Sequence, residues 1–207
     1  MKHPRTLPRA FRSAALALFV MMSVSCKRSD EPRPTSTGDA GDPALERAKL
    51  AAQALSGALR SALQSAMGDG GPTAAVDVCY SKAPAIAEEV MRTHGVRIGR
   101  VAAPGRNRNT TQAAAGWQLT ALERMQAAVA GGARAEDQVF VQRENLPDDV
   151  ALRMMRGIAT EGICVSCHGP TLAEPIRAEI ARHYPDDHAT GFNVGDLRGA
   201  LWVEVPR

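Results

Sequence analysis

The residues with the most distinctive chemistry are Cys164, Cys167 and His168, in the run Cys-Val-Ser-Cys-His. A Cys-x-x-Cys-His run is the attachment site of a c-type haem, whose vinyl groups become thioethers with the two thiols. The histidine that follows directly is then placed to bind the iron. The alternatives are a redox dithiol, which does not need the histidine, and a zinc site, which needs another Cys/His pair at zinc spacing. The motif therefore predicts one covalent haem c, attached to Cys164 and Cys167 and ligated by His168.

The N-terminus carries the pattern of an export signal. Residues 14–22 form an apolar stretch that is too short to span a bilayer, and four basic residues precede it: Lys2, Arg5, Arg9 and Arg12. The run Ser-Val-Ser-Cys that ends at Cys26 resembles a bacterial lipobox, with Ser23 at the position where leucine is usual. We therefore expect residues 1–25 to be a lipoprotein signal peptide, Cys26 to be lipidated, and the protein to face the periplasm in the cell envelope. The alternative is an ordinary cleaved signal peptide and a soluble periplasmic protein.

Composition separates a tether from a domain. Residues 27–43 are rich in Pro, Ser, Thr and Gly and contain no apolar residue larger than alanine, so residues 26–43 are predicted to be a flexible tether. Residues 44–207 have the size of one domain and form the predicted c-type haem domain. Without residues 1–25 the chain has 21 basic and 22 acidic residues, a net charge of −1. We therefore expect no nucleic-acid partner, and membrane contact only through the lipid anchor.

Cys79 is left unpaired once the other cysteines have these roles, in a compartment where a lone thiol is unusual. It lies on an apolar helical stripe with Val76, Ala83, Ile86 and Val90, so its side chain should face the interior. Either it is a buried, inert thiol, or its thiolate binds the haem iron opposite His168. Spacing alone favours neither interpretation. Competing ligands are available, with His183 the strongest of them: His94, His183, His188, Met91, Met154 and Met155.

The arginines of one short region are candidates for binding the haem propionates, because a guanidinium binds a carboxylate through a bidentate fork. The nearest cluster consists of Arg97, Arg100, Arg106 and Arg108. A solvated strand face and loop is the alternative interpretation for each of them.

Hydrophobic periodicity predicts helices first and interleaved strands later. The predicted helices span residues 43–67, 73–95 with an interruption at Pro84, 113–129 and 171–183. The predicted strands span residues 96–102, 139–141, 152–158 and 200–205. On the first strand we expect Val96, Ile98 and Val101 on one side, with Arg97 and Arg100 on the other. This order favours an α+β fold with an antiparallel sheet.

Several runs of the chain match motifs of a known family. They are Val78-Cys79 with Ala83-Pro84, Arg97-Ile98-Gly99-Arg100, Cys164 to Gly169, Tyr184-Pro185 with Gly191-Phe192, and Gly195-Asp196 with Arg198-Gly199-Ala200. Residues 44–207 thereby resemble the extracytoplasmic c-type haem domains known from a cyanobacterial cytochrome and from the sensing regions of bacterial receptors. The resemblance implies a PAS-like antiparallel sheet flanked by helices and preceded by an N-terminal helix. It also implies that Cys79 is the second axial ligand of the iron.

Two functions fit these expectations. The first is a monohaem c-type cytochrome that transfers electrons at low potential to an unidentified redox partner, because a thiolate ligand favours ferric iron. The second is a haem-based redox or gas sensor, or a binding module, acting through a separate signalling partner. No kinase or cyclase region follows the haem domain, which favours the first function. No catalytic constellation is visible apart from the haem, so we expect no enzymatic activity.

Overall fold

A four-stranded sheet forms the centre of the fold in the computed structural model, which describes residues 41–207. Residues 1–25, Cys26 and most of the predicted tether lie outside the described residues. The strands are β1 (Arg97–Ala102), β2 (Val139–Gln142), β3 (Val150–Ala159) and β4 (Leu197–Pro206). Their order is β1-β4-β3-β2, and every neighbouring pair is antiparallel.

Helices cover both faces of this sheet. The helices are α1 (Pro43–Asp77), α2 (Ala83–His94), α3 (Trp117–Ala130), α4 (Val165–His168) and α5 (Glu174–His183). Leu45 and Leu55 of α1 pack with Leu152 of β3 on one face, and Leu122 of α3 packs with Met155 of β3 on the other. The predicted α+β fold, with an antiparallel sheet, flanking helices and an N-terminal helix, is therefore confirmed. No helix within residues 41–207 is long and apolar enough to cross a bilayer.

The first helix is longer than the sequence predicts. It begins after Asp42, whose carboxylate accepts hydrogen bonds from the amides of Ala44 and Leu45 at 2.9 and 3.2 Å. The predicted helix ends at residue 67, before the glycine-rich run Gly68-Asp69-Gly70-Gly71, but in the structure this run produces a kink, at Gly71 with φ 71° and ψ −165°. Pro72 follows the kink, where its missing amide and fixed φ suit a restarting helix. The second limb then continues towards Cys79.

A π-helical turn, Val78–Lys82, joins α1 to α2 and contains Cys79. The amide of Ala83 donates to the carbonyl of Val78, five residues earlier rather than four. The next residue, Pro84, has no amide hydrogen, so the α-helical hydrogen bond from residue 84 to Tyr80 cannot form. The interruption predicted at Pro84 thus takes the form of one wide turn, and α2 continues to the left-handed cap at Gly95.

The faces of β1 differ from the prediction. Ile98 belongs to the core under α1, whereas Val101 belongs to the core under α3. Because side chains alternate along a strand, Arg100 lies on the face of Ile98, and Arg97 lies on the face of Val101. The grouping of Arg97 with Arg100 was therefore wrong, since residues three apart on a strand point in opposite directions.

Candidate functional site

A short helix presents the Cys-x-x-Cys-His motif. A 3-10 turn, Gly162–Cys164, leads directly into α4 (Val165–His168). Residues three and four apart share one face of a helix, so Cys164, Cys167 and His168 are on the same side of this turn. All three line one cleft.

That cleft lies between α1, the π-helical turn and the ends of three strands, and has a volume of about 1100 Å³ including its open mouth. Its walls are mostly apolar, with Leu59 and Leu63 from α1, Ile158 from β3 and Leu201 from β4. Cys79 also lines it, from the π-helical turn. The structure therefore brings the predicted second ligand into the same cleft as the motif, although the two are separated by more than eighty residues. Within residues 41–207 no three His, Cys, Asp or Glu side chains are placed to hold a metal ion by themselves.

His168 has one ring nitrogen bonded to a backbone carbonyl and the other in contact with Arg198, a residue that lines the cleft. Its Nδ1 donates to the carbonyl of Ala189 at 2.7 Å, which leaves the lone pair on Nε2. Burial lowers the pKa of His168 well below its usual value, and the positive charges of Arg198 and Arg108 lower it further. The ring is therefore neutral at pH 7. A neutral imidazole whose second nitrogen is anchored to a carbonyl is the form that ligates metals.

The segment after α5 anchors the motif through its backbone. The amide of Phe192 donates to the carbonyl of His168, and the amide of Gly191 donates to the carbonyl of Gly169, both at 2.9 Å. Cys167 packs beside Tyr184 on the side facing α5, and burial raises the pKa of its thiol. The C-terminal run that resembles the family signature thus holds the motif in place.

Arg106 and Arg108 are engaged in holding this segment. Arg108 forms a bidentate ion pair with Asp187 at 3.0 and 3.1 Å and donates to the carbonyl of Cys167 at 2.6 Å. Both members of the ion pair are nearly buried, at 9% and 11% exposure of their side chains. Arg106 donates to the carbonyl of Thr190, and its guanidinium lies 3.6 Å from the ring centre of Phe192. These two arginines have structural partners within the chain.

The other two predicted arginines are separated by the sheet. Arg100 lines the cleft. Arg97 does not line it and instead forms ion pairs with Asp149 at 2.7 Å and Glu204 at 3.0 Å. Of the four predicted arginines, the structure brings Arg100 and Arg108 to the cleft.

Arg198 is a cleft residue that the sequence interpretation did not single out. In the pairing of β3 with β4, Ile158 faces Gly199 and Ala159 faces Leu197, so Arg198 is the extra residue of a β-bulge. Bulges redirect a side chain and are common beside active sites. Gly199 is required next to it, because a Cβ there would lie 2.1 Å from the carbonyl oxygen of Val101. The alternation of apolar and polar residues along a strand does not reveal a bulge. The only signal of the bulge in the sequence is Gly199, directly after Arg198.

The competing ligands lie elsewhere. The ring of His183 stacks 4.4 Å from that of Tyr80, and its Nε2 lies 3.1 Å from Glu179. None of the six competing histidines and methionines lines the cleft. A different methionine, Met67 of α1, does line it.

An ion pair ties α1 to the start of the motif. Arg60 donates to both carboxylate oxygens of Glu161, at 2.7 and 2.5 Å. Glu161 holds the pKa of Arg60 above its usual value, and Arg60 lowers that of Glu161. About half of each side chain is exposed, so solvent screens the pair and it contributes about 1 kcal/mol or less. The ion pair instead fixes the position of the motif relative to α1, because it joins two walls of the cleft at the rim.

The family model for Tll0287-like proteins matches residues 31–206, which is most of the chain. The chain belongs to the Tll0287-like family. The crystal structure of the cyanobacterial haem protein Tll0287 is similar to it, with 29% sequence identity, a TM-score of 0.48, and coverage of 61% of this chain and 71% of that chain. No curated protein matches the chain. The expectation of a family that includes a cyanobacterial haem protein is thereby confirmed, and the predicted cleft residues of this Tll0287-like domain lie within the matched range.

Proposed function

We propose that this Tll0287-like domain binds one haem covalently through Cys164 and Cys167, with His168 and Cys79 as axial ligands. The observation that carries the proposal is that all four side chains line one apolar cleft, and that the bond from His168 Nδ1 to a carbonyl leaves the lone pair on Nε2. Membership of a family whose namesake is described as a haem protein supports the same conclusion. The cleft also fits the group chemically, because it combines apolar walls with cationic side chains suited to carboxylates.

The residues of the chain have distinct roles in this proposal. Cys164 and Cys167 fix the haem, and α4 sets the direction of His168. The carbonyl of Ala189 holds the tautomer and the orientation of the ring, which raises the basicity of the ligating nitrogen. The apolar side chains of α1, including Leu59 and Leu63, restrict the access of water to the cleft. When bound, the haem supplies a one-electron Fe(III)/Fe(II) couple.

The proposed function is electron transfer by a monohaem c-type cytochrome at low potential, with a separate redox protein as partner. A thiolate from Cys79 donates electron density to iron and favours the ferric form, which lowers the potential. The proposal assigns no catalytic reaction to the domain.

A second function, a haem-based redox or gas sensor, is favoured by one observation. Cys79 lies in a π-helical turn, where the helical hydrogen bonding is interrupted next to Pro84. Such turns are frequent at functional sites. In this second function Cys79 would leave the iron. The resulting open iron position would bind a small gas, and the movement of the turn would reach a signalling partner.

Covalent attachment is tested by expressing the chain with the c-haem maturation machinery, denaturing it and staining a gel for haem. We expect stain that follows the polypeptide in the wild type and in Cys79→Ala, and none in the double variant Cys164→Ala/Cys167→Ala. The Cys79→Ala variant is the matched control, since it removes a cysteine from the same cleft. Stain that survives loss of both motif cysteines would refute the proposal.

The envelope location is part of the proposal, and Cys26 tests it. We propose that residues 1–25 are removed and that a lipid on Cys26 anchors the domain facing the periplasm. Cells labelled with a radioactive fatty acid should label the wild type and leave Cys26→Ser unlabelled. A wild type that takes up no label and fractionates as soluble would instead indicate a cleaved periplasmic protein.

A further inference from the structure

The side chain of Arg198 enters the cleft from the β-bulge and is only partly satisfied there. Its Nη1 donates to Nε2 of His168 at 3.2 Å, while its Nε is sealed from solvent and has no hydrogen-bond partner within residues 41–207. Burial lowers the pKa of Arg198. A guanidinium that is buried without an anion is costly, because desolvation is not offset by a paired charge.

Arg100 is the second cation of this wall without a partner. Within the described residues its side chain has no hydrogen bond and no ion pair, although Arg106 and Arg108 nearby are both engaged. Arg100 and Arg198 lie on neighbouring strands, because β1 pairs with β4. The two side chains line the cleft together, and both also line a second cavity of about 370 Å³ including its open mouth, which His168 lines as well.

The charges around these cavities do not balance. Arg100, Arg106, Arg108 and Arg198 line the second cavity, together with Gln112 and no carboxylate. Asp187 neutralises Arg108. Arg106 is held by a carbonyl and an aromatic ring, which carry no net negative charge. Arg100 and Arg198 therefore form two cations with no carboxylate paired to either of them within residues 41–207, a wall suited to an anionic ligand.

We propose that Arg198 and Arg100 bind the carboxylate groups of the haem. This inference rests on the proposed function. Nε2 of His168 has one lone pair, which cannot both accept from Arg198 and bind iron. With Nε2 bound to iron, Nη1 of Arg198 would be free to donate to a haem carboxylate. Its Nε and the guanidinium of Arg100 complete the binding of that carboxylate.

The test compares ferriprotoporphyrin IX with its dimethyl ester, which lacks the two negative charges. Each compound is titrated into the haem-free chain, expressed without the maturation machinery, and binding is followed by absorbance. We expect the wild type to prefer the diacid by about tenfold to a hundredfold, the range that hydrogen bonds to a charged group provide. Arg198→Gln and Arg100→Gln should each lose most of that preference. Arg97→Gln, an arginine of β1 paired outside the cleft, is the matched control and should keep it.

A second variant and a second measurement distinguish failure of this inference from failure of the proposed function. If Arg198→Gln fails to fold, as judged by circular dichroism, Arg198→Lys replaces it and should show a reduced preference, because the bidentate fork is lost. An unchanged preference in the Arg198 and Arg100 variants overturns the inference and leaves the proposed function standing. No binding of either compound to the wild type, together with no haem stain after maturation, overturns both.

A free oxyanion could bind the two arginines in place of a haem carboxylate, and inorganic phosphate is the probe for this alternative. With the arginines engaged by the haem carboxylates, phosphate should have no Arg198-dependent effect on the absorbance spectrum of the loaded protein. A phosphate effect that is lost in Arg198→Gln would show that the arginines remain open to free anions, and would overturn the inference.

Discussion

The amide of Ala83 donates to the carbonyl of Val78, and this bond spans five residues instead of four. The extra residue widens the turn that carries Cys79. Its cause is local, because Pro84 provides no amide hydrogen for Tyr80. A single proline thus fixes the direction in which the thiol leaves the helix.

Replacing Pro84 by alanine should therefore move Cys79 without touching it. Alanine restores the missing donor and allows a regular α-helix, in which the loss of one extra residue rotates the preceding turn by about 100°. We expect Pro84→Ala to keep covalent haem and to lose the low-spin thiolate signal in electron paramagnetic resonance of the ferric protein. The control is Pro175→Ala, in the first turn of α5, which should leave that signal unchanged. A full thiolate signal in Pro84→Ala would show that the wide turn does not position the ligand.

The ligand itself is tested by comparing Cys79→Ala with His183→Ala. We expect a six-coordinate, low-spin ferric spectrum in the wild type and in His183→Ala, and its loss in Cys79→Ala, because His183 lies outside the cleft. Reduction removes one positive charge from the iron, so the thiolate should be held less tightly and give way to carbon monoxide, most readily at low pH. An unchanged Cys79→Ala spectrum, with a high-spin spectrum in His183→Ala, would indicate a bis-histidine site instead.

Breaking the ion pair between Arg108 and Asp187 should destabilise the fold far more than breaking an exposed ion pair. Arg108→Met leaves the Asp187 carboxylate nearly buried without its partner and removes the hydrogen bond to Cys167. We expect the free energy of unfolding to fall by about 3–5 kcal/mol in urea titrations. The exposed pair of Arg134 and Glu136 provides the control, and Arg134→Gln should have a much smaller effect because solvent screens that pair. Similar losses in the two variants would contradict a buried role for Arg108.

Alkaline pH should destabilise the haem-free domain through Tyr184. Burial raises the pKa of its hydroxyl from 10.0 to about 12, and the nearby charge of Cys79 adds to this effect. Because the folded pKa is the higher one, this stabilisation is complete below pH 10 and is lost as the pH rises towards 12. We expect Tyr184→Phe to lose less stability than the wild type between pH 9.5 and about 11.5 in urea titrations. Parallel losses in both proteins would show that Tyr184 ionises equally well in the folded and unfolded states.

The sequence predicts the motif and the element order well, because both depend on local patterns. Covalent haem attachment requires the spacing of Cys164, Cys167 and His168, so the motif is visible in the sequence. The bounds predicted for the four strands are also close to those in the structure. Cys79 could be placed on an apolar stripe, but its presence in the same cleft depends on tertiary packing. Only the family resemblance pointed to that pairing in advance.

What the sequence could not provide is the direction of individual polar side chains. Arg97 and Arg100 look equivalent in the sequence, and the alternation of β1 sends them to opposite faces of the sheet. Arg198 reaches the cleft only because a bulge interrupts β4. The glycine-rich run before Pro72 predicts a break, and whether a break ends a helix or bends it depends on what the second limb packs against.

The position of β4 in the sheet has a consequence for how the domain folds. β4 is the last strand along the described chain, yet it lies between β1 and β3 and joins residues about a hundred positions apart. Until β4 inserts, β1 has no neighbouring strand, and the hairpin of β2 and β3 has none beside β3. Pairing of β4 with β1 closes a long loop of the chain, and such contacts form slowly. A nascent chain that stops before Leu197 would contain the complete attachment motif and no assembled sheet. Assembly of the sheet therefore depends on β4, which is the last of the four strands along the described chain.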